Sequence, residues 1–94
     1  MVQSFRVRPT TQFKRELEKL FERQPELTVV VERLNDILKS DPYNRSRQYP
    51  IKKLSDVKQG EGQWRIRSGV WRLRYDVFDK DVVLYSFKHR KEAY

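Results

Sequence analysis

Apolar residues recur at helical spacing through the first half of the chain and at every other position through much of the second. Phe13, Leu17, Leu20 and Phe21 fall at i, i+4, i+7 and i+8, the stripe of an amphipathic helix, and Lys14, Arg15, Glu16, Glu18, Lys19 and Glu22 form its outer face. Thr10 or Thr11 can cap its start. A second stripe, Leu27, Val30, Val31, Leu34, Ile37 and Leu38, follows Pro25, a residue suited to a first helical turn, and stops at Asp41 and Pro42. So short a connection through Arg23 and Gln24 predicts two antiparallel helices. Upstream, residues 4–8 alternate, with Phe5 and Val7 on one side and Pro9 closing the run, which predicts a short first strand.

From Ser40 to Gly62 the pattern is polar and irregular, interrupted by Pro42, Pro50, Gly60 and Gly62, and reads as a functional loop anchored by Tyr49, Ile51 and Leu54. The period then changes to two. Trp64, Ile66 and, beyond Ser68 and Gly69, Trp71, Leu73, Tyr75 and Val77 alternate with Arg65, Arg67, Arg72 and Arg74, which predicts a hairpin. A third strand over 81–88 follows the turn at Phe78, Asp79 and Lys80. The expected fold class is α+β in a single domain, residues 1–94: an N-terminal strand, then a two-helix hairpin packed on an antiparallel sheet that ends in a three-strand meander.

With Ser68 and Gly69 as the two loop residues, Arg67 would face Val70, Ile66 would face Trp71, Arg65 would face Arg72 and Trp64 would face Leu73. One sheet face is then apolar, for the helices to cover, and four arginines lie together on the other. Like charges opposed across strands destabilise a bare sheet by up to about 1 kcal/mol per pair. An anionic partner would offset that. Arg at all four positions favours forked recognition of phosphate or carboxylate, and RNA, DNA and an acidic protein all fit the pattern.

Charge sharpens this picture. The chain carries 21 Lys/Arg and 13 Asp/Glu, a formal +8, split unevenly: residues 1–44 hold 8 and 7, residues 45–94 hold 13 and 6. The second half is the one that faces a polyanion. Absence of cysteine excludes disulfides, thiolate nucleophiles and Cys-ligated metals, and makes the cytoplasm the expected compartment. A single His and no clustered carboxylates argue against a protein-built metal site, so neither metal nor cofactor is expected. No signal-peptide core precedes the first strand, and the longest aliphatic run, 82–85, is far shorter than a membrane span, so no membrane partner is expected.

His89 has the one side chain whose ordinary pKa, about 6.5, lies near neutrality, and Arg90 and Lys91 beside it would favour its neutral form, the form a general base needs. Most lone histidines are structural. Tyr94 could pack over the sheet or stack on a base. Lys52 and Lys53, at the start of the loop's second part, are by default solvated.

The arginine-rich hairpin from Gly62 to Val77, the Val-rich strand after it and the ending His89, Arg90, Lys91, Glu92, Ala93, Tyr94 resemble the RelE/ParE superfamily of toxin–antitoxin toxins, nearer its RelE branch. The strand leading into Phe13-Lys14-Arg15-Glu16-Leu17, the helix ending at Asp41 and Pro42 and the Lys52-Lys53-Leu54 segment extend the likeness over almost the whole chain. The resemblance implies a microbial-ribonuclease-like domain that cleaves mRNA on the ribosome without metal. In that reaction the 2′-hydroxyl attacks the adjacent phosphorus, leaving a 2′,3′-cyclic phosphate and a 5′-hydroxyl. It implies catalytic roles for Arg65, Arg67, Arg72, His89, Arg90 and Tyr94 and RNA contacts for Lys52, Lys53, Arg74 and Lys91, with a cognate antitoxin as further partner. RelE has lysines where this chain has Arg65 and Arg67; a guanidinium is effectively never deprotonated, so charge stabilisation suits the pair better than base catalysis. The ParE branch, by contrast, inhibits DNA gyrase and cuts no RNA. A non-catalytic nucleic-acid-binding module would also fit, with salt-dependent affinity alone. The branches are told apart by whether the six catalytic candidates converge on one surface.

Overall fold

The computed structural model describes residues 5–92. Its elements run β1 (Arg6–Pro9), α1 (Thr11–Arg23), α2 (Leu27–Ser40), β2 (Ile51–Lys53), β3 (Trp64–Ser68), β4 (Trp71–Phe78) and β5 (Asp81–His89). The fold is α+β, two helices on one five-stranded sheet of order β1-β5-β4-β3-β2. Thr10 caps α1, its hydroxyl oxygen accepting the Phe13 N–H at 3.1 Å. Both apolar stripes turn inward. Phe13 and Leu27, Val31, Leu34 and Leu38 meet Ile66, Leu73, Tyr75, Val77, Val82, Leu84 and Phe87 from the sheet in one core. The helix α1 covers β5, and α2 packs on β1 and β3. Tyr75 is wholly buried, and its hydroxyl donates to the Pro42 carbonyl at 2.7 Å.

Three expectations about the sheet need correction. It is mixed, because β1 runs parallel to β5, Arg6 beside Asp81 and Pro9 beside Leu84. Alternation identifies a strand but not its partner, and here the first strand pairs with the last. The expected loop also contains a strand, since Ile51, Lys52 and Lys53 pair with Ile66, Arg65 and Trp64; three residues are too few to show a period. In the β3–β4 hairpin the turn residues are Gly69 and Val70, so Ser68 pairs with Trp71, Arg67 with Arg72 and Arg65 with Arg74. Gly69 has φ +59° and Val70 has no positive φ, the pattern of a II′ turn with glycine first. The shift moves each partner by two residues, so the two faces keep their predicted composition.

A bulge lies between β4 and β5: Arg74 pairs with Ser86 and Tyr75 with Leu84, leaving Tyr85 without a counterpart. Val82 and Leu84 point into the core before it, and Phe87 does so after it. Strict alternation from Val82 would have sent Lys88 inward; the extra residue sends it outward. No helix among the described residues is long and apolar enough to cross a membrane.

Candidate polyanion-binding face

On the sheet face away from the helices, register alone assembles two polar rows. Arg67, Arg72 and Lys88 form one across β3, β4 and β5, and Lys52, Arg65, Arg74 and Ser86 form the other across β2 to β5. Neighbouring strands lie about 4.8 Å apart, so each row places its cations within a span that the phosphates of one polynucleotide segment can bridge. Arg6 and Arg8, on the distant β1 edge, share Asp81 at 3.0 and 2.9 Å. Lys52, Arg67, Arg72 and Lys88 have no ion pair among the described residues.

The arginines differ in freedom. Arg67 is exposed. Arg72 is only 8% exposed, although it lies on the face away from the helices. One of its terminal nitrogens donates to the Gly69 and Trp71 carbonyls at 2.9 and 3.1 Å, while its Nε is buried without a hydrogen-bond partner. Its guanidinium therefore braces the hairpin turn through one terminal nitrogen and is held in the row by it. Arg74 is committed to the loop over 54–63, its Nε donating to the Gly62 carbonyl at 2.7 Å and a terminal nitrogen to Glu61 at 3.2 Å.

The same loop hangs from Asp76. This buried carboxylate accepts the backbone N–H groups of Gly60, Gly62 and Gln63 at 2.6, 3.0 and 2.8 Å. Gly60 and Gly62 have φ of +102° and +85°, and a Cβ on Gly62 would meet Arg74 Cβ at 3.2 Å, so glycine is required where the loop passes over the sheet. Burial raises the pKa of the neighbouring Tyr85 phenol, and the charge of Asp76 and a hydrogen bond to it raise it further.

The tail residues are distributed differently from the expectation. His89 pairs with Trp71 and lies on the helix side of the sheet, its ring edge-on to Trp71 at 5.7 Å. Trp71 in turn stacks on Phe87 at 5.0 Å. Glu16, Leu20 and Arg23 of α1 share with His89 a cavity of about 680 Å³. The sheet thus separates His89 from Arg65, Arg67 and Arg72, and the five candidates among the described residues do not converge. His89 Nδ1 accepts the Lys91 N–H at 3.2 Å, and the Arg90 N–H donates to the Val70 carbonyl at 2.7 Å. Arg90 and Lys91 are exposed. Tyr94 lies outside the described residues. Lys53 alternates away from Lys52, its ammonium 5.8 Å from the Trp64 ring centre. Lys88, Asp76 and Tyr85 were not anticipated as parts of this face. Lys88 was legible only with the bulge. No group of three or more His, Cys, Asp or Glu among the described residues is placed to hold a metal.

Comparison with known proteins bears on this arrangement. A family model described as the ParE toxin of a type II toxin–antitoxin system matches residues 7–94. A chain in the crystal structure of the toxin–antitoxin complex RelBE2 from Mycobacterium tuberculosis superposes with a TM-score of 0.69 at 31% identity, covering 94% of this chain and 100% of that one. No curated protein matches the sequence. With one comparison drawn from each branch and both spanning nearly every element described above, the chain belongs to the RelE/ParE superfamily of toxins of type II toxin–antitoxin systems.

Proposed function

We propose that this toxin inhibits translation by cleaving mRNA on the ribosome, with the Arg67, Arg72 and Lys88 row gripping the scissile phosphate, and that a cognate antitoxin neutralises it. The observation that supports the reading is the row itself: three cations in register on adjacent strands, with no carboxylate paired to them among the described residues. As the 2′-oxygen attacks phosphorus, negative charge builds on the phosphoryl oxygens, and the two guanidiniums stabilise it, Arg67 closing on the phosphate from its exposed position. Arg72, braced by two turn carbonyls, is the fixed element. Arginine does not take up the 2′-hydroxyl proton, so water on this open face receives it, and the Lys88 ammonium can protonate the departing 5′-oxygen. His89 has no part in this scheme.

A second reading, gyrase inhibition without RNA cleavage, is favoured by one observation: the catalytic candidates do not converge, because the sheet places the imidazole on the face opposite Arg65, Arg67 and Arg72. The test is induced expression of the wild type, Arg67→Ala and His89→Ala, with primer extension on total mRNA and purified gyrase assayed in parallel. Discrete mRNA breaks that disappear in Arg67→Ala and persist in His89→Ala support the proposal. Intact mRNA with inhibited gyrase replaces it with the second reading.

A further inference from the structure

Beside the two rows, the cationic face contains a cavity of about 270 Å³ that neither reading has used. Lys52, Arg65 and Arg74 bound it on the sheet, and the turn at Ser55 and Asp56 bounds it on the loop. Leu54 and Val57 supply apolar surface between the two. Pockets for drug-sized ligands run from roughly 300 to 1,000 Å³, so this one, just below that range, has room for a single planar base with the rest of the nucleotide at its mouth.

Its walls are held in place before any ligand arrives. Asp76 holds the far end of the loop by three amides, Gln59 Nε2 donates to the Val77 carbonyl at 2.7 Å, and Gln63 Nε2 donates to the Val57 carbonyl at 3.0 Å. Arg74 ties the loop to β4 from the other side. A preformed pocket discriminates between ligands because it does not re-pack around the wrong one.

Asp56 is the informative lining residue. It is an exposed carboxylate among three cations, and it has no ion pair or hydrogen bond among the described residues. A carboxylate weakens phosphate binding, so its use is to accept hydrogen bonds from a neutral group seated between the apolar walls. Among the bases, guanine alone offers adjacent N1–H and N2–H donors that match the two oxygens of a carboxylate as a guanidinium does. Uracil offers one N–H flanked by two carbonyls, which a carboxylate repels.

We propose that this cavity takes one guanine nucleotide of the RNA chain, Asp56 reading the base edge, Leu54 and Val57 holding its plane, and Lys52 and Arg65 holding its phosphate. The inference rests on the RNA reading above and adds to it a base preference set beside the scissile position.

The purified full-length toxin is titrated with 3′-GMP, 3′-UMP and inorganic phosphate, with the amide resonances of residues 54–57 as the readout. The expected result is GMP binding about tenfold tighter than UMP, the low end of what one bidentate contact contributes to discrimination. In Asp56→Asn, a near-isosteric change at an exposed position, the ratio falls to about one, while inorganic phosphate binds at least as tightly as in the wild type, because a repelling charge has gone. The proposal is overturned if phosphate alone reproduces the GMP shifts at equal affinity, if nothing binds, or if the guanine preference survives in Asp56→Asn. A guanine preference in a toxin that leaves mRNA intact would remove the ribonuclease and keep the pocket. Cleavage by a toxin with no base preference would do the opposite.

Discussion

Replacing Asp76 by Ala removes the acceptor for three backbone N–H groups at once. A hydrogen bond to a charged group contributes about 1.5–3 kcal/mol, and a buried donor left unpaired costs about 1–3 kcal/mol. Only the Gly62 amide is fully buried; those of Gly60 and Gln63 are partly exposed, and water replaces much of what they lose. One full loss and two discounted ones give about 3–4 kcal/mol, a large share of the 5–15 kcal/mol typical of a domain. Asp76→Asn keeps one acceptor but turns an NH₂ toward a backbone N–H, and should cost about half as much. Urea denaturation measures the loss, and hydrogen exchange at residues 60–63 locates it. A change below about 1 kcal/mol in Asp76→Ala, or an Asn variant as stable as the wild type, would refute the claim that this carboxylate holds the loop.

Arg67→Ala and Arg72→Ala should separate on thermal denaturation. The first removes an exposed side chain and should stay within about 0.5 kcal/mol of the wild type, and the second loses two bonds to turn carbonyls and about 1–2 kcal/mol. Stability should also fall at alkaline pH. Burial, reinforced by the charge of Asp41, raises the Tyr75 phenol far above its ordinary 10.0, so the unfolded chain releases this proton first. The stabilisation is complete below pH 10.0 and is lost as pH rises beyond it, which a denaturation series from pH 8 to 11 would detect, with Tyr75→Phe reducing the dependence to the part that the raised Tyr85 phenol contributes.

What the sequence discloses, it discloses through periodicity. Leu27, Val31, Leu34 and Leu38 mark α2 and its buried face, and the alternation around Ile66 and Leu73 sorts the hairpin into an apolar and a cationic side. Parity survives a two-residue error in register, which explains how the arginine face was legible while its pairings were not. Facts that depend on strand order or on one inserted residue leave no such trace. The parallel contact of β1 with β5 is one, and the placement of Lys88 by the Tyr85 bulge is another. His89 shows the same limit: its neighbours in sequence are cations, but its neighbours in space are Trp71 and the end of α1. Asp76 was indistinguishable from any acid in a strand, because its three donors come from a loop 13 to 16 residues away.

The margins of the sheet carry a consequence of their own. Its two outer strands, β1 and β2, have four and three residues, one ending in Pro9 and the other carrying Lys52 and Lys53. A foreign strand aligned on either would gain a few hydrogen bonds before meeting a missing N–H or a pair of ammonium groups. Edge-to-edge growth, the usual hazard of an open sheet, is blocked by brevity and charge. With its two outer strands so guarded, the sheet is better suited to meet another molecule through its broad arginine face than through them.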